Sequence, residues 1–395
     1  MRSIYFDYNA TTPLDGAVRE AMRPYQERLF GNPSSIHHVG REARAALDQA
    51  RDETATVFGC KPGEVVFTSG GTESNNLAIF GTARLLRGKG RHLITTSIEH
   101  HAVLHSFQYL GKKEGFDVTF LPVDPAGQVR PEDLKGALRP DTILVSVMAA
   151  NNETGTLQPV SLLGEICRNA GVLFHTDAVQ WFGKEPFRDV HQFNADLVSV
   201  CAHKLHGPKG AGALYIRSPL LPDPILLGGG HENERRAGTE NVAGIVGFAE
   251  TMKRFVKTPV FTAAQLSPLI QRLQNLCDGL EGVRVRGHRE QRLVNTLAFT
   301  VQGCDSIALL AGMDLEGVCA SSGSACSAGS LEPSHVLQAM GVSRDLCQSF
   351  VRFSLGRDTN GEEIAEVESI LPGVIDRIRV SAGSREVKLG AEECE

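Results

Sequence analysis

Between about residues 16 and 255 the chain alternates helix-like stretches, with apolar residues three or four apart, with short continuous apolar runs, and this alternation restricts the fold more than any other feature. GREARAALDQARDETATVFG carries Ala46, Leu47, Ala50 and Val57 near helical spacing, and EVVFTS then reads as a buried strand. The pattern repeats: helix-like SNNLAIFGTARLL, strand-like RHLITTS, helix-like HAVLHSFQYLGKKEG, then strand-like DVTFLPV and TILVSVMAA. The runs GVLFHTDA, DLVSVCAH and GAGALYI extend the same sheet. Strands that are apolar throughout need cover on both faces, so the expected class is α/β, with a mostly parallel sheet covered by helices.

At KTPVFTAAQ a proline interrupts the apolar period, and AAQLSPLIQRLQNLCDGL follows with Leu266, Leu269, Ile270, Leu273, Leu276 and Leu280 on one helical face. This divides the chain into a large domain over 16–258 and a smaller α+β domain made of 1–15 and 259–395. The smaller part contains strand-like LVNTLAFTVQ and SFVRFSLG and helix-like EEIAEVESI.

Composition excludes several classes. A net charge of −6 gives no nucleic-acid footprint, and no stretch approaches the roughly 20 apolar residues that span a bilayer, so a cytoplasmic protein is expected. The nine cysteines are scattered, odd in number and without a C-x-x-C pair, which argues against a disulfide framework or a zinc ribbon.

Four strand-to-helix junctions and one loop could carry chemistry. In VVFTSGGTESNN, Gly70, Gly71 and Thr72 open a helix whose first N–H groups can hold a phosphate, although Gly-Gly closing a tight turn explains the stretch equally well. Asp177 and Gln180 follow an apolar run, where ligands of open α/β sheets bind; the carboxylate could pair with a ring nitrogen, or simply cap the next helix. Lys204, in CAHKLHGPKG, also ends a run. A deprotonated amine there would condense with an aldehyde, whereas an ordinary lysine would reach out to solvent. In SIEHHAVLH, His101 and His105 have i, i+4 spacing, but stacking of one imidazole on a cofactor ring is the sharper use; no metal is expected. The loop ASSGSACSAGS places Cys326 among small residues, where a reactive thiol belongs, while Cys319 beside Val318 reads as core. Together these signals supply what pyridoxal phosphate requires.

From YFDYNATTP through GNPSS, FTSGGTESNN, EHHAV, NNETG, HTDAVQ, AHKLHGPKG, GGGHENERRAGTEN and SSGSACSAGSLEPSHVL to VRFSLGR, nearly the whole chain resembles the cysteine desulfurases of the NifS/IscS type. These are pyridoxal phosphate enzymes of fold type I, related to class V aminotransferases. The resemblance implies that Lys204 forms the Schiff base, His100 stacks on the ring, Asp177 pairs with its nitrogen and Gln180 donates to its phenolic oxygen. It makes Gly71 part of the phosphate-binding turn, Thr72, Cys201 and His203 phosphate neighbours, and Thr239 a phosphate ligand for the other subunit of a homodimer. Asn152 and Arg352 would hold the carboxylate of L-cysteine, and Cys326 would take its sulfur as a persulfide and pass it to an acceptor such as an iron–sulfur scaffold or a thiolation carrier.

Two residues depart from that family's pattern. Cys201 stands where a serine usually bonds the phosphate, and Glu234 where glycine or another small residue is expected. A selenocysteine lyase, a class V aminotransferase and a non-catalytic sulfur-transfer scaffold are the competing readings.

Overall fold

In the computed structural model, which describes residues 3–323 and 333–392, each apolar run named above between residues 64 and 216 contains a strand. The strands are β1 (Ile4–Tyr5), β2 (Val65–Thr68), β3 (His92–Thr96), β4 (Asp117–Leu121), β5 (Thr142–Ser146) and β6 (Leu173–Asp177). After them come β7 (Leu197–Cys201), β8 (Gly212–Ile216), β9 (Val283–Arg286), β10 (Thr296–Val301), β11 (Val318–Cys319) and β12 (Phe350–Ser354). Among the described residues, β2 to β8 form one seven-stranded sheet in the order β2-β8-β7-β6-β5-β3-β4.

The sheet is parallel except for β8, which runs against both β7 and β2. Only residues 202–211 separate β7 from β8, too few for a crossover helix, so the chain must return antiparallel. The other strands consequently end on the same edge.

Alternate strand residues feed two cores. Phe67, Ile94, Val145, Phe174 and Val198 pack against helices His38–Phe58, Val160–Asn169 and Val242–Phe255 on one face. Val66, Leu93, Leu144, Leu197 and Leu214 meet Leu77, Ile79, Phe107 and Leu110 on the other. The helix-like stretch after β2 is helical throughout but widens to π geometry over Leu77–Gly81, where a Cβ on Gly81 would stand 2.5 Å from the Asp223 carbonyl. β4 is an edge strand with Phe120 exposed, so its apolar run is covered less than the others.

A further core gathers around the antiparallel sheet β12-β10-β9. Leu266, Ile270 and Leu273 of helix Ala263–Gly279 pack there with Phe299, Phe353 and Leu371, and Ile4 and Phe6 join them from the start of the chain. Cys319 pairs through β11 with β1 but is half-buried, its Sγ 3.2 Å from Ser3 Oγ, so it is not the core cysteine expected from sequence. A final helix runs from Gly361 to Glu392, and no helix among the described residues is long and apolar enough to cross a membrane.

β8 sets the position of the turn after β2 by close approach. A Cβ on Gly212 would stand 2.7 Å from Gly70 Cα and 2.8 Å from the Val200 carbonyl, both backbone. Gly212→Ala should therefore cost about 1–3 kcal/mol, measured by thermal melting of the purified variant. An unchanged melting temperature would mean that the turn at Gly70 is free to move.

Candidate active site

The common strand edge gathers most of the expected residues into one cleft. β2 delivers Gly71 and Thr72, the loop after β3 delivers His100, and the loop after β5 delivers Asn152. Asp177 ends β6 with Gln180 just beyond it, Cys201 ends β7, and His203 and Lys204 follow. Arg352 enters from β12, and Asn9 from the segment after β1.

Lys204 is held by two backbone carbonyls: its Nζ donates to Asn9 O and Ala10 O, each at 2.6 Å. The same segment clasps the lysine loop again, because Thr12 Oγ1 donates to His203 O at 2.8 Å and accepts from His206 N at 2.7 Å. Asn9 O also accepts from Gln180 Nε2 at 2.8 Å.

Asp177 makes the local capping contact expected of it and also receives a side-chain amide. Oδ1 accepts from Val179 N at 3.0 Å, which is a local capping contact, and Oδ2 accepts from Asn75 Nδ2 at 2.6 Å. Burial pushes its proton affinity up, while those two donors and the charge of Lys204 pull it down. A cationic ring nitrogen nearby would favour the carboxylate further.

His100 caps helix His101–Glu114, its Nδ1 accepting from Ala102 N at 3.1 Å, so in the neutral ring the proton sits on Nε2. Burial and then the charge of Lys204 push its pKa down to about 4, and His203 is pushed to about 4 by the same two causes. Both imidazoles are neutral at pH 7. The rings of His101 and His105 stack at 4.9 Å, with His335 4.9 Å from His101.

Arg352 is buried and divides its fork between Asn152 O (2.8 Å) and Asp7 Oδ1 (2.6 Å), leaving Nε without a partner among the described residues. Thr239 is exposed and does not line this chain's cleft. Cys326 lies outside the described residues. The Cys201 thiol is buried, and burial pushes its pKa up to about 11, so it remains a neutral, weak donor.

Four participants went unrecognised in the sequence. Asn9 sits in YFDYNATTP, and Asn75 one turn beyond Thr72; both lie within motifs that were noticed for other residues. Lys184 is four residues after Gln180, and its Nζ donates to Gln180 Oε1 at 2.6 Å. Glu99, next to His100, is fully buried; Oε1 accepts from Thr96 Oγ1 and Met148 N, and Oε2 has no partner among the described residues.

Comparison with known proteins fits this arrangement. The Aminotransferase class-V family model matches residues 4–367. The chain belongs to that family. It is 46% identical over 386 residues to cysteine desulfurase IscS of Dictyoglomus turgidum, covering 96% of each chain, and 45% identical over 385 residues to cysteine desulfurase IscS of Methanosarcina thermophila, covering 96% of this chain and 93% of the relative. Among solved structures it resembles a NifS-like protein with a TM-score of 0.86 at 38% identity, over 95% of this chain and 99% of that one. It also resembles SspA in complex with cysteine, with a TM-score of 0.80 at 36% identity, over 90% and 99% of the two chains. With a mostly parallel sheet and a helix-covered core, this class V chain has the α/β architecture of the fold type I enzymes.

The structure gives the Glu234 departure a physical meaning. Glu232, Asn233 and Glu234 have φ of 50°, 55° and 64°, the left-handed region that favours glycine. The turn is anchored where Glu232, 5% exposed, receives Arg51 through two hydrogen bonds (2.8 and 2.5 Å) and Phe67 N at 2.9 Å. Arg236 then pairs with Glu73 at 2.7 Å, tying the segment to the helix that begins at Gly71.

Glu234→Gly should relieve the strain and raise stability by about 1 kcal/mol, read as a melting temperature higher by roughly 2 °C. A lower melting temperature would show that the Glu234 side chain contributes contacts worth more than the strain. For Glu99, burial raises the pKa to about 8, so the folded state keeps a proton that the unfolded chain loses above about 4.5. Its contribution therefore falls as pH rises from about 4.5 to 8. Relative to wild type, apo-protein carrying Glu99→Gln should gain stability across that window, on the order of a few kcal/mol, and level off above it. A constant difference between pH 5 and 8, followed by denaturant melts, would refute this.

Proposed function

We propose that the protein is a cysteine desulfurase, converting L-cysteine to L-alanine with transfer of the sulfur to Cys326 as a persulfide. The observation that carries this reading is the meeting of Lys204, Asp177, Gln180, His100 and Arg352 in one cleft. Pyridoxal phosphate suits the donors on this cleft. Lys204 offers an amine, Asp177 a buried carboxyl with Val179 and Asn75 already aligned to support its anion, and Gln180 an amide. Thr72 and His203 would take the phosphate beside the Gly70–Gly71 turn, where a Cβ on Gly71 would stand 2.7 Å from Val179 Cγ2 and Gly70 has open space on its side-chain face.

Bound there, the cofactor would serve as the sink for electrons released at the substrate Cα. The protein's own groups do the rest. Arg352 and Asn152 orient the carboxylate, with Arg352 Nε, which has no partner among the described residues, a buried donor for it. The Lys204 amine would take the Cα proton and then return a proton to the alanine that leaves. The Cys326 thiolate forms the new S–S bond as the substrate C–S bond breaks.

The assembly is read as a homodimer in which Thr239 reaches the other subunit's phosphate. Its position outside this chain's own cleft, on a segment that also exposes Leu227 (85%) and lies in a protein exposing Phe30 and Ile36, supports that reading. The acceptor would be a sulfur-carrying or iron–sulfur scaffold protein in the cytoplasm, where thiols stay reduced. All seven cysteines among the described residues are free.

Absorption spectra test the proposal. Wild-type protein given pyridoxal phosphate should acquire a visible band, Lys204→Ala should lack it, and Cys326→Ala should keep it while forming no alanine or sulfide from L-cysteine. Cys201→Ser should bind the cofactor more tightly, since a hydroxyl donates better than a thiol. A wild type that stays colourless would instead favour the scaffold reading. Turnover with selenocysteine but not cysteine would favour a lyase.

A further inference from the structure

Lys184 is a buried lysine with no part in the reaction outlined above. Only 6% exposed, it lies on the turn after β6, four residues beyond Gln180. Its Nζ makes two hydrogen bonds, both to amide oxygens: Gln180 Oε1 at 2.6 Å and Asn9 Oδ1 at 2.8 Å. Among the described residues it has no carboxylate in ion-pair contact. A lysine buried in this way is costly, and a purely structural site would be filled more cheaply by an apolar side chain. Burial pushes its proton affinity well down; the charges of Lys204 and Arg352 add to that, and Cys201 and Glu185 oppose it.

Both ends of the Gln180 amide are constrained. Its oxygen faces the Lys184 donor, and one N–H of its nitrogen goes to Asn9 O at 2.8 Å. Turning the amide over would set donor against donor at Lys184 and acceptor against acceptor at Asn9. The Asn9 acceptor for Gln180 is a backbone oxygen that cannot become a donor, and the Asn9 amide that shares Lys184 is itself fixed, its Nδ2 donating to Thr296 Oγ1 (2.9 Å) and its Oδ1 accepting from Asn295 Nδ2 (3.1 Å). The second N–H of Gln180 therefore remains on a fixed nitrogen in the cleft.

We propose that Lys184 is a positioning residue: by occupying Gln180 Oε1 and Asn9 Oδ1, it fixes the Gln180 amide with its N–H toward the cofactor's phenolic oxygen. Gln180 would be the direct contact, and Lys184 acts through it. This rests on the pyridoxal phosphate reading above. A donor to the phenolic oxygen stabilises its anion, so a wandering Gln180 amide raises the pH at which the cofactor–lysine linkage loses its proton and weakens cofactor binding.

The test is a double-mutant cycle of wild type, Lys184→Met, Gln180→Ala and the double variant, each reconstituted with pyridoxal phosphate and checked by thermal melting. The readouts are the midpoint of the pH titration of the visible band and the cofactor dissociation constant. Lys184→Met should raise the midpoint by about one unit and weaken binding several-fold, and it should change neither in the Gln180→Ala background. Equal shifts in both backgrounds would mean that Lys184 acts by its charge alone, and no shift in the single variant would mean that it does not act on the cofactor; either overturns the proposal. A wild type without a band would remove the cofactor reading along with the proposal, whereas a normal wild-type band beside an unshifted variant overturns the proposal alone. If the methionine variant does not fold, Lys184→Gln, too short to span both acceptors, replaces it in the same cycle.

Discussion

Lys204 is held by carbonyls that belong to a different part of the chain. Asn9 and Ala10 receive its amine, yet Ile4 and Phe6, just before them, are packed in the core around β9, β10 and β12. The Asn9 side chain repeats the link, reaching Thr296 on β10 and Lys184 beside β6, while its N–H reaches Ser354 on β12. The lysine's geometry thus depends on both cores being folded and docked. An extended segment serves well here because its backbone oxygens are strong acceptors whose placement needs no rotamer to be chosen.

The cleft balances charges that burial would otherwise make untenable. Lys204, Lys184 and Arg352 lie near Asp177, Glu99 and Asp7, and Arg352 forms a direct ion pair with Asp7. Around Lys184, Glu99 and Asp177 the hydrogen bonds come from neutral donors and acceptors, and proton affinities shift toward the neutral forms: down for Lys184, His100 and His203, up for Glu99 and Asp177. Such a site responds strongly to a bound anion or ring cation, because its groups are buried and solvent screens them weakly. That is the environment in which a phosphate and a substrate carboxylate are held most firmly.

The strand runs were legible because burial on both sheet faces leaves an unbroken apolar signature, and the strand-end residues followed from them. Asp177 and Lys204 stand out for that reason: polar groups directly after apolar runs. The direction of β8 was not legible as a residue pattern, since an antiparallel strand buried on both faces has the same composition as a parallel one; only the length of 202–211 discloses it. Asn9, Asn75 and Lys184 were hidden for a different reason. Each acts through a hydrogen bond to a residue far away in sequence or to a side chain whose own orientation matters, and neither leaves a periodic trace. Likewise Glu234 is visible as an unusual residue from sequence, but the reason for its strain is a φ angle set by the Arg51–Glu232 contact more than 180 residues apart.

The groups that would hold substrate and those from which the Cys326 segment departs are the same groups. On one side, Ser321 pairs backbone to backbone with Arg352, whose N donates to Ser321 O at 2.6 Å. On the other, Ser334 Oγ donates to Glu153 Oε2 at 2.5 Å, beside Asn152, and His335 Nε2 contacts Glu99 O at 2.9 Å, beside His100. A Cβ on Gly323 would stand 3.3 Å from the same Glu153 carboxylate, so both stems converge on one side chain. Arg352 and the neighbour of Asn152 are thus each one backbone pairing or one hydrogen bond away from a stem residue of that segment. Under the desulfurase reading, these short connections anchor the described stems of that segment directly to the side of the cleft proposed to grip the substrate carboxylate.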